Sequence, residues 1–204
     1  MKRVGLIGCG FMGRMHAAVL ASIPDVELVA VCSHRPEAGA AELAEKYGVP
    51  AIYDWKKMIA RQDMDVIDIC LPTDLHAEVA IAAMHAGKHV FCEKPMARTV
   101  AEADAMIAAS RETGRRLMIG HCIRFWSEYA ELVRLVRTKE LGELLSLNLT
   151  RYGEFPHWSV DGWLGEETRA GGAALDMHIH DSDFSLYLLG KPEFTHSLGT
   201  LDQR

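Results

Sequence analysis

Three glycines within the first thirteen residues constrain this chain most. Gly8, Gly10 and Gly13 close an apolar run, Val4-Gly5-Leu6-Ile7, and residues suited to a helix, Ala17, Ala18 and Leu20, follow at once. In the order strand, tight turn, helix, each glycine has a physical task. Gly8 makes the turn, Gly10 lets backbone approach a pyrophosphate, and Gly13 lets the helix pack on the strand. The bare N–H groups and positive dipole end of the new helix suit an anion. The spacing alone says little; its place between strand and helix points to a dinucleotide.

The same rhythm continues along the chain. Buried strands are expected at 26–32 (VELVAVC), 65–71 (DVIDICL), 88–92 (KHVFC) and 116–120 (RLMIG), with a short one at 52–53. Helices are expected at 36–47, 55–60, 74–85 and 99–113, the last with Thr99 and Glu102 as a capping box and Gly114 as its stop. Strands alternating with helices predict an α/β fold, a doubly wound parallel Rossmann sheet over residues 1–121. Right-handed crossovers bring the strand ends to one edge, where ligands bind in such sheets.

That edge defines the expected cofactor contacts. Gly8, Gly10, Phe11, Met12 and Gly13 lie at the pyrophosphate, and Ser33, His34 and Arg35 at the adenosine ribose. Pro72, Thr73, His76, Glu93, Lys94 and Arg124 complete the set. In NAD-binding units an acidic side chain ends the second strand and accepts from the ribose 2′-OH. Here Ser33-His34-Arg35 stands in its place. A hydroxyl and a guanidinium suit a 2′-phosphate, so NADP is expected, with NAD the alternative.

Composition narrows the function. A net charge of -6 with a pI near 5.9 offers no basic footprint for nucleic acid. No apolar run approaches the roughly 18 residues of a membrane span, and strand-like residues begin at position 3, so a cytoplasmic location is expected. Five cysteines without a C-x-x-C read as buried small hydrophobes rather than disulfides or a zinc site.

Past His121 the rhythm changes, and residues 122–204 are expected to form a second domain. It would contain a helix over 126–138, a half-exposed strand at 144–151, an aromatic loop with Trp158 and Trp163, a helix over 173–189, and a strand at 194–201. On the long helix Asp176, His180 and Asp183 fall at spacings of four and three, on one face. Such a trio could bind a divalent cation, although one helix face rarely completes a shell. It could equally contain a hydrogen-bonded structural histidine, or a proton-transfer residue.

Several segments together resemble one family. VFCEKP at 90–95, GHCIRF at 120–125, and GGAALD leading into His180 and Asp183, with the glycine loop, resemble the Gfo/Idh/MocA oxidoreductases, the group of glucose-fructose oxidoreductase and inositol dehydrogenase. The resemblance covers essentially the whole chain. It implies an N-terminal dinucleotide-binding domain and a C-terminal α+β domain on an open sheet that walls the substrate pocket and supports homo-oligomers. It makes Lys94 the lysine of E-K-P, and Asp176 and His180 the ends of D-x-x-x-H. Lys94, Asp176 and His180 are therefore the expected catalytic residues, with no metal.

Residue chemistry agrees with these roles. Oxidising a secondary alcohol sends a hydride to the nicotinamide while a proton leaves oxygen. His180, with an ordinary pKa of about 6.5, is the expected proton acceptor. Lys94 would stabilise developing alkoxide and favour neutral imidazole, and Asp176 would orient substrate or imidazole. The expected function is an NAD(P)-dependent dehydrogenase or reductase acting on CH–OH groups of a sugar, polyol or related small molecule. The alternatives are a cofactor-binding protein or remnant without turnover, and hydride transfer used for bond cleavage or imine reduction. Family members usually run past 300 residues, so a truncated reading frame with an exposed, self-associating sheet edge is also expected.

Overall fold

In the computed structural model, which describes residues 1–34, 38–154, 156–157, 159–196 and 198, six parallel strands form one sheet. They are β1 Lys2–Ile7, β2 Val26–Cys32, β3 Ala51–Ile52, β4 Val66–Ile69, β5 His89–Cys92 and β6 Leu117–Ile119. Between them run α1 Phe11–Leu20, α2 Ala40–Tyr47, α3 Trp55–Ile59, α4 His76–His85 and α5 Val100–Thr113. The strand order β3-β2-β1-β4-β5-β6 reverses direction between β1 and β4. This is the expected doubly wound α/β arrangement in Rossmann order, and it puts the glycine turn at the switch point.

Side-chain alternation sorts the core into two layers. Ile7, Ile67, Ile69, Val90 and Cys92 pack on one side with residues of α4 and α5. Leu6, Leu28 and Val31 pack on the other with Ala17 of α1 and Leu43 of α2. Leu28 and Val31 share a layer despite their odd spacing because Val4 pairs with Leu28 while Gly5 pairs with Ala30. That bulge at Val29 restores the hydrophobic register. Asp68 and Phe91 alternate with members of the first layer and so turn towards α1.

Helix ends follow their chemistry. The Glu102 N–H donates to Thr99 Oγ1 at 3.2 Å and the Thr99 N–H to Glu102 Oε2 at 3.0 Å, the reciprocal box that starts α5. No helix among the described residues is long and apolar enough to cross a membrane.

By internal contacts the chain groups into residues 1–120 with 152–177, and 121–151 with 178–204. The segment 152–177 thus counts with the sheet unit, whereas the sequence reading assigns everything past 121 to a second domain. It carries α7 Glu167–Ala170 and α8 Gly172–Asp176. The second unit holds a 3₁₀ turn at Cys122–Phe125, α6 Ser127–Thr138 and α9 Ile179–Leu189. Its core is small: Ile123, Val133 and Phe184 are buried, with Tyr129, Leu132, Leu149 and Leu188 packed against them.

Two local expectations fail, and a third falls partly outside the described residues. Residues 144–151 form no strand, because alternation supplies a buried face but not the ladder partner that backbone N–H and C=O groups need. Leu149 packs inward while Leu145 is 94% exposed. Of the strand expected at 194–201, residues 194–196 and 198 are unassigned and the remainder lie outside the described residues, so no strand edge is present in the described second unit. The helix expected over 173–189 is two helices, α8 and α9, interrupted at Met177 and His178.

Candidate active site

The glycine turn is built tightly. Gly8 has φ +100°, and a Cβ there would lie 2.2 Å from the Cys70 carbonyl oxygen. A Cβ on Gly13 would lie 1.9 Å from the Gly8 carbonyl oxygen. Neither position admits a side chain, so backbone of β1, β4 and α1 closes at the switch point. Gly10 is extended, with φ −75° and ψ −156°, and no side chain caps α1 behind it. The N-terminal end of α1, with its positive dipole end, faces the turn and suits an anion. Phe11 is half exposed and Met12 partly buried. These residues fit the pyrophosphate of a dinucleotide.

At the end of β2, Ser33 is buried and its N–H donates to the Ile52 carbonyl at 3.1 Å, while His34 is exposed. Arg35 lies outside the described residues. Past β4, Pro72 and the buried Thr73 begin a short 3₁₀ turn that leads into α4 at His76. The His76 ring lies with Nδ1 2.8 Å from the Pro95 carbonyl and Nε2 2.9 Å from the Leu71 carbonyl. Burial lowers its pKa against the pull of those two carbonyls.

Glu93 and Lys94 sit where β5 ends. Glu93 Oε2 accepts from the Lys94 N–H at 3.1 Å. The Lys94 ammonium donates to Asp176 Oδ1 at 2.8 Å and to the Asp176 carbonyl at 2.9 Å. Both side chains are about four-fifths covered, 18% and 21% exposed, so the pair is only partly screened by water. Asp176 therefore holds the Lys94 ammonium through both its carboxylate and its carbonyl. Met177 and His178, which join α8 to α9, keep right-handed helical backbone angles.

His180 and Arg124 belong to the second unit. His180 is partly buried on α9. Arg124 donates to both carboxylate oxygens of Asp183, through Nε at 2.7 Å, and stacks 4.8 Å from the Tyr187 ring centroid. His121 Nε2 lies 3.6 Å from the same carboxylate. With Asp183 engaged by a guanidinium, the cation reading of the Asp176, His180, Asp183 trio loses a ligand. Arg124 in turn spends its planar fork on Asp183, beside any contact with cofactor.

Two residues pass unnoticed in the sequence. His16 on α1 stands with Nδ1 3.0 Å from Asp68 Oδ2 and Nε2 3.1 Å from Glu93 Oε1. Burial lowers its pKa, but hydrogen bonds and charge from Asp68 and Glu93 outweigh that and raise it to about 10. The available signal was an acid inside an otherwise apolar strand, Val66-Ile67-Asp68-Ile69, since a buried carboxylate requires a partner. Cys9, Cys32 and Cys92 are buried, Cys70 is partly buried and Cys122 exposed, all as free thiols.

Comparison with known proteins agrees with this geometry. Residues 2–121 match the model described as the oxidoreductase family, NAD-binding Rossmann fold, and residues 129–203 match the GFO/IDH/MocA C-terminal domain. The chain is 36% identical to levoglucosan dehydrogenase of Pseudarthrobacter phenanthrenivorans, over 92% of this chain and 51% of that protein. It is 36% identical to D-glucoside 3-dehydrogenase of Escherichia coli, over 93% and 54%. The solved myo-inositol 2-dehydrogenase of Lactobacillus plantarum superimposes with a TM-score of 0.81 at 28% identity, over 93% of this chain and 56% of that one. The chain spans about half the length of the curated relatives it matches. With a glycine cradle at the switch point of a Rossmann sheet and both family models matched in order, the chain belongs to the Gfo/Idh/MocA oxidoreductase family.

Proposed function

We propose that the protein is an NAD(P)-dependent dehydrogenase or reductase acting on a CH–OH group of a sugar, polyol or related small molecule. The observation that carries this reading is the Lys94 ammonium, fixed at the ligand-binding edge of the sheet by the Asp176 carboxylate and carbonyl. The sugar-dehydrogenase names of the two curated relatives support the substrate class.

The nicotinamide cofactor supplies the hydride acceptor or donor. Gly8 and Gly13 let the turn and α1 close against neighbouring backbone, Gly10 lets backbone approach the pyrophosphate, and the N-terminal end of α1 holds it. Lys94 stabilises negative charge growing on the substrate oxygen, and Asp176 keeps the ammonium in place. His180 is the assigned proton acceptor, with Arg124 and Glu93 among the cofactor contacts. Ser33, His34 and Arg35 favour NADP over NAD, since a 2′-phosphate meets no acidic side chain there. A cytoplasmic location and self-association through the C-terminal part belong to the same reading.

Lys94→Ala and His180→Ala should each lose most turnover of polyols or aldoses, followed at 340 nm, while keeping cofactor affinity. Wild-type activity in both variants would defeat these assignments. Separate titrations with NADP and NAD decide the cofactor. The small core among the described residues of the second unit favours one other reading, cofactor binding without turnover. Tight NADP binding with no reduction across a panel of sugars and polyols is the result that selects it.

A further inference from the structure

A buried ionic cluster lies on the α1 side of the sheet, behind the turn that carries Lys94. Strand alternation builds it. In β4 Ile67 and Ile69 enter one core layer, so Asp68 faces the other way; in β5 Val90 and Cys92 do the same, so Phe91 and then Glu93 face α1. His16, three residues past Gly13 on that helix, meets all three. Its Nδ1 lies 3.1 and 3.0 Å from the two Asp68 oxygens and its Nε2 3.1 Å from Glu93 Oε1. Its ring stacks on Phe91 at a centroid distance of 5.7 Å. The ring is 15% exposed, the carboxylates of Asp68 and Glu93 3% and 11%.

Geometry decides the charge of that ring. A neutral imidazole carries one N–H, and its second nitrogen would turn a lone pair towards a carboxylate oxygen. Only the cation donates at both ends. Cys70 Sγ lies 3.2 Å from Nδ1, and burial together with Asp68 and Glu93 holds its thiol far above the usual range, so it adds no third anion. His16, Asp68 and Cys70 also offer ligand atoms within 4.8 Å of one another, as a metal would need. However, Glu93 sits at the opposite ring nitrogen, and the imidazolium already offsets one of the two carboxylate charges.

We propose that His16 is a positioning residue: as an imidazolium clamped between Asp68 and Glu93, it ties the cofactor helix α1 to the Glu93-Lys94 turn and so sets where the Lys94 ammonium stands. The chain of contacts is continuous. His16 holds Glu93 Oε1, Glu93 Oε2 accepts the Lys94 N–H, and the Lys94 side chain reaches Asp176. On the other side of the turn the His76 ring lies against the Pro95 carbonyl. Without the His16 cation, Asp68 and Glu93 become two carboxylates with no charge between them, and one must take up a proton or move. The consequence for turnover rests on the role proposed for Lys94; the clamp itself does not.

The test uses the full chain without cofactor. Nitrogen-15 spectra of labelled histidine should show one ring protonated at both nitrogens through neutral and mildly alkaline pH, titrating near about 10 and absent in His16→Gln. Titration of His16 near neutrality would overturn the proposal. So would stoichiometric zinc in the purified protein. Lys94 should react with an amine-directed acylating reagent several-fold faster in His16→Gln than in wild type, read by peptide mass spectrometry, with surface Lys46 unchanged. Phe91→Leu keeps the charges and removes only the stacking, so its Lys94 rate should stay at the wild-type value. An equal rise in both variants would reduce His16 to packing and overturn the positioning role. Failure of NADP and NAD to bind would instead defeat the functional reading and leave the clamp standing.

Discussion

The two units of this chain are held together by different physics. The sheet unit has an apolar layer on each side of six parallel strands, and a deeply buried ionic cluster beside the candidate site. Among its described residues the second unit buries three apolar side chains, and two guanidinium–carboxylate pairs hold its elements. Arg124 grips Asp183, and Arg151 grips Asp181 through two bonds of 2.8 and 2.9 Å. Burial scales with the area a layered sheet can cover, whereas a helix pair with few core residues must lean on directional contacts. The lesson is that charge is a scaffold in one unit and part of the candidate machinery in the other.

The largest effect should come where the sheet unit tolerates nothing. Gly13→Ala forces a Cβ to within 1.9 Å of the Gly8 carbonyl and should abolish dinucleotide binding in a fluorescence titration, with a visibly lower melting temperature. Next is Phe184→Ala, which removes the largest member of a very small core and should cost about 4 kcal/mol of the second unit's stability in urea. The sheet unit should keep its own transition. A single shared transition would show that the two units unfold as one and would break the comparison.

Removing one partner of an ion pair should come third. Asp181→Asn leaves Arg151 without its carboxylate and should cost about 2 kcal/mol, less than a fully buried pair because Arg151 is a quarter exposed. The pH dependence sharpens the contrast further. Arg151 holds the Asp181 carboxyl below its ordinary range, so that contribution is present above the ordinary aspartate pKa and is lost as pH falls. His16 is held above its ordinary pKa of 6.5, at about 10, so its contribution is full below 6.5 and is lost as pH rises through about 10. The stability gap between wild type and His16→Gln should therefore shrink on going from neutral to strongly alkaline pH. Smallest of all is Lys139→Ala, which breaks an exposed pair with Glu143 and should leave the melting temperature unchanged.

Much of the sheet unit could be read directly because its signals are local. The capping box at Thr99 and Glu102, the stop at Gly114 and the apolar runs of β1, β2, β4 and β5 each act over a few residues. The second unit resisted for the opposite reason. The 144–151 stretch has a strand's alternation, and what it lacks is a partner, which is a non-local property.

By itself the sequence determined the Rossmann order of strands and helices, the positions where only glycine fits, and the identity of Lys94 and Asp176 as chemically apt groups. Periodicity, caps and turns are written within a few residues, so they can be read in one dimension. Only the tertiary structure decided that Lys94 pairs with Asp176, 82 positions later, and that His16 lies between Asp68 and Glu93. Those pairings arise where strand alternation and right-handed crossovers bring distant residues to one face of a sheet. Their charges become consequential there because burial strips away the water that would otherwise screen them.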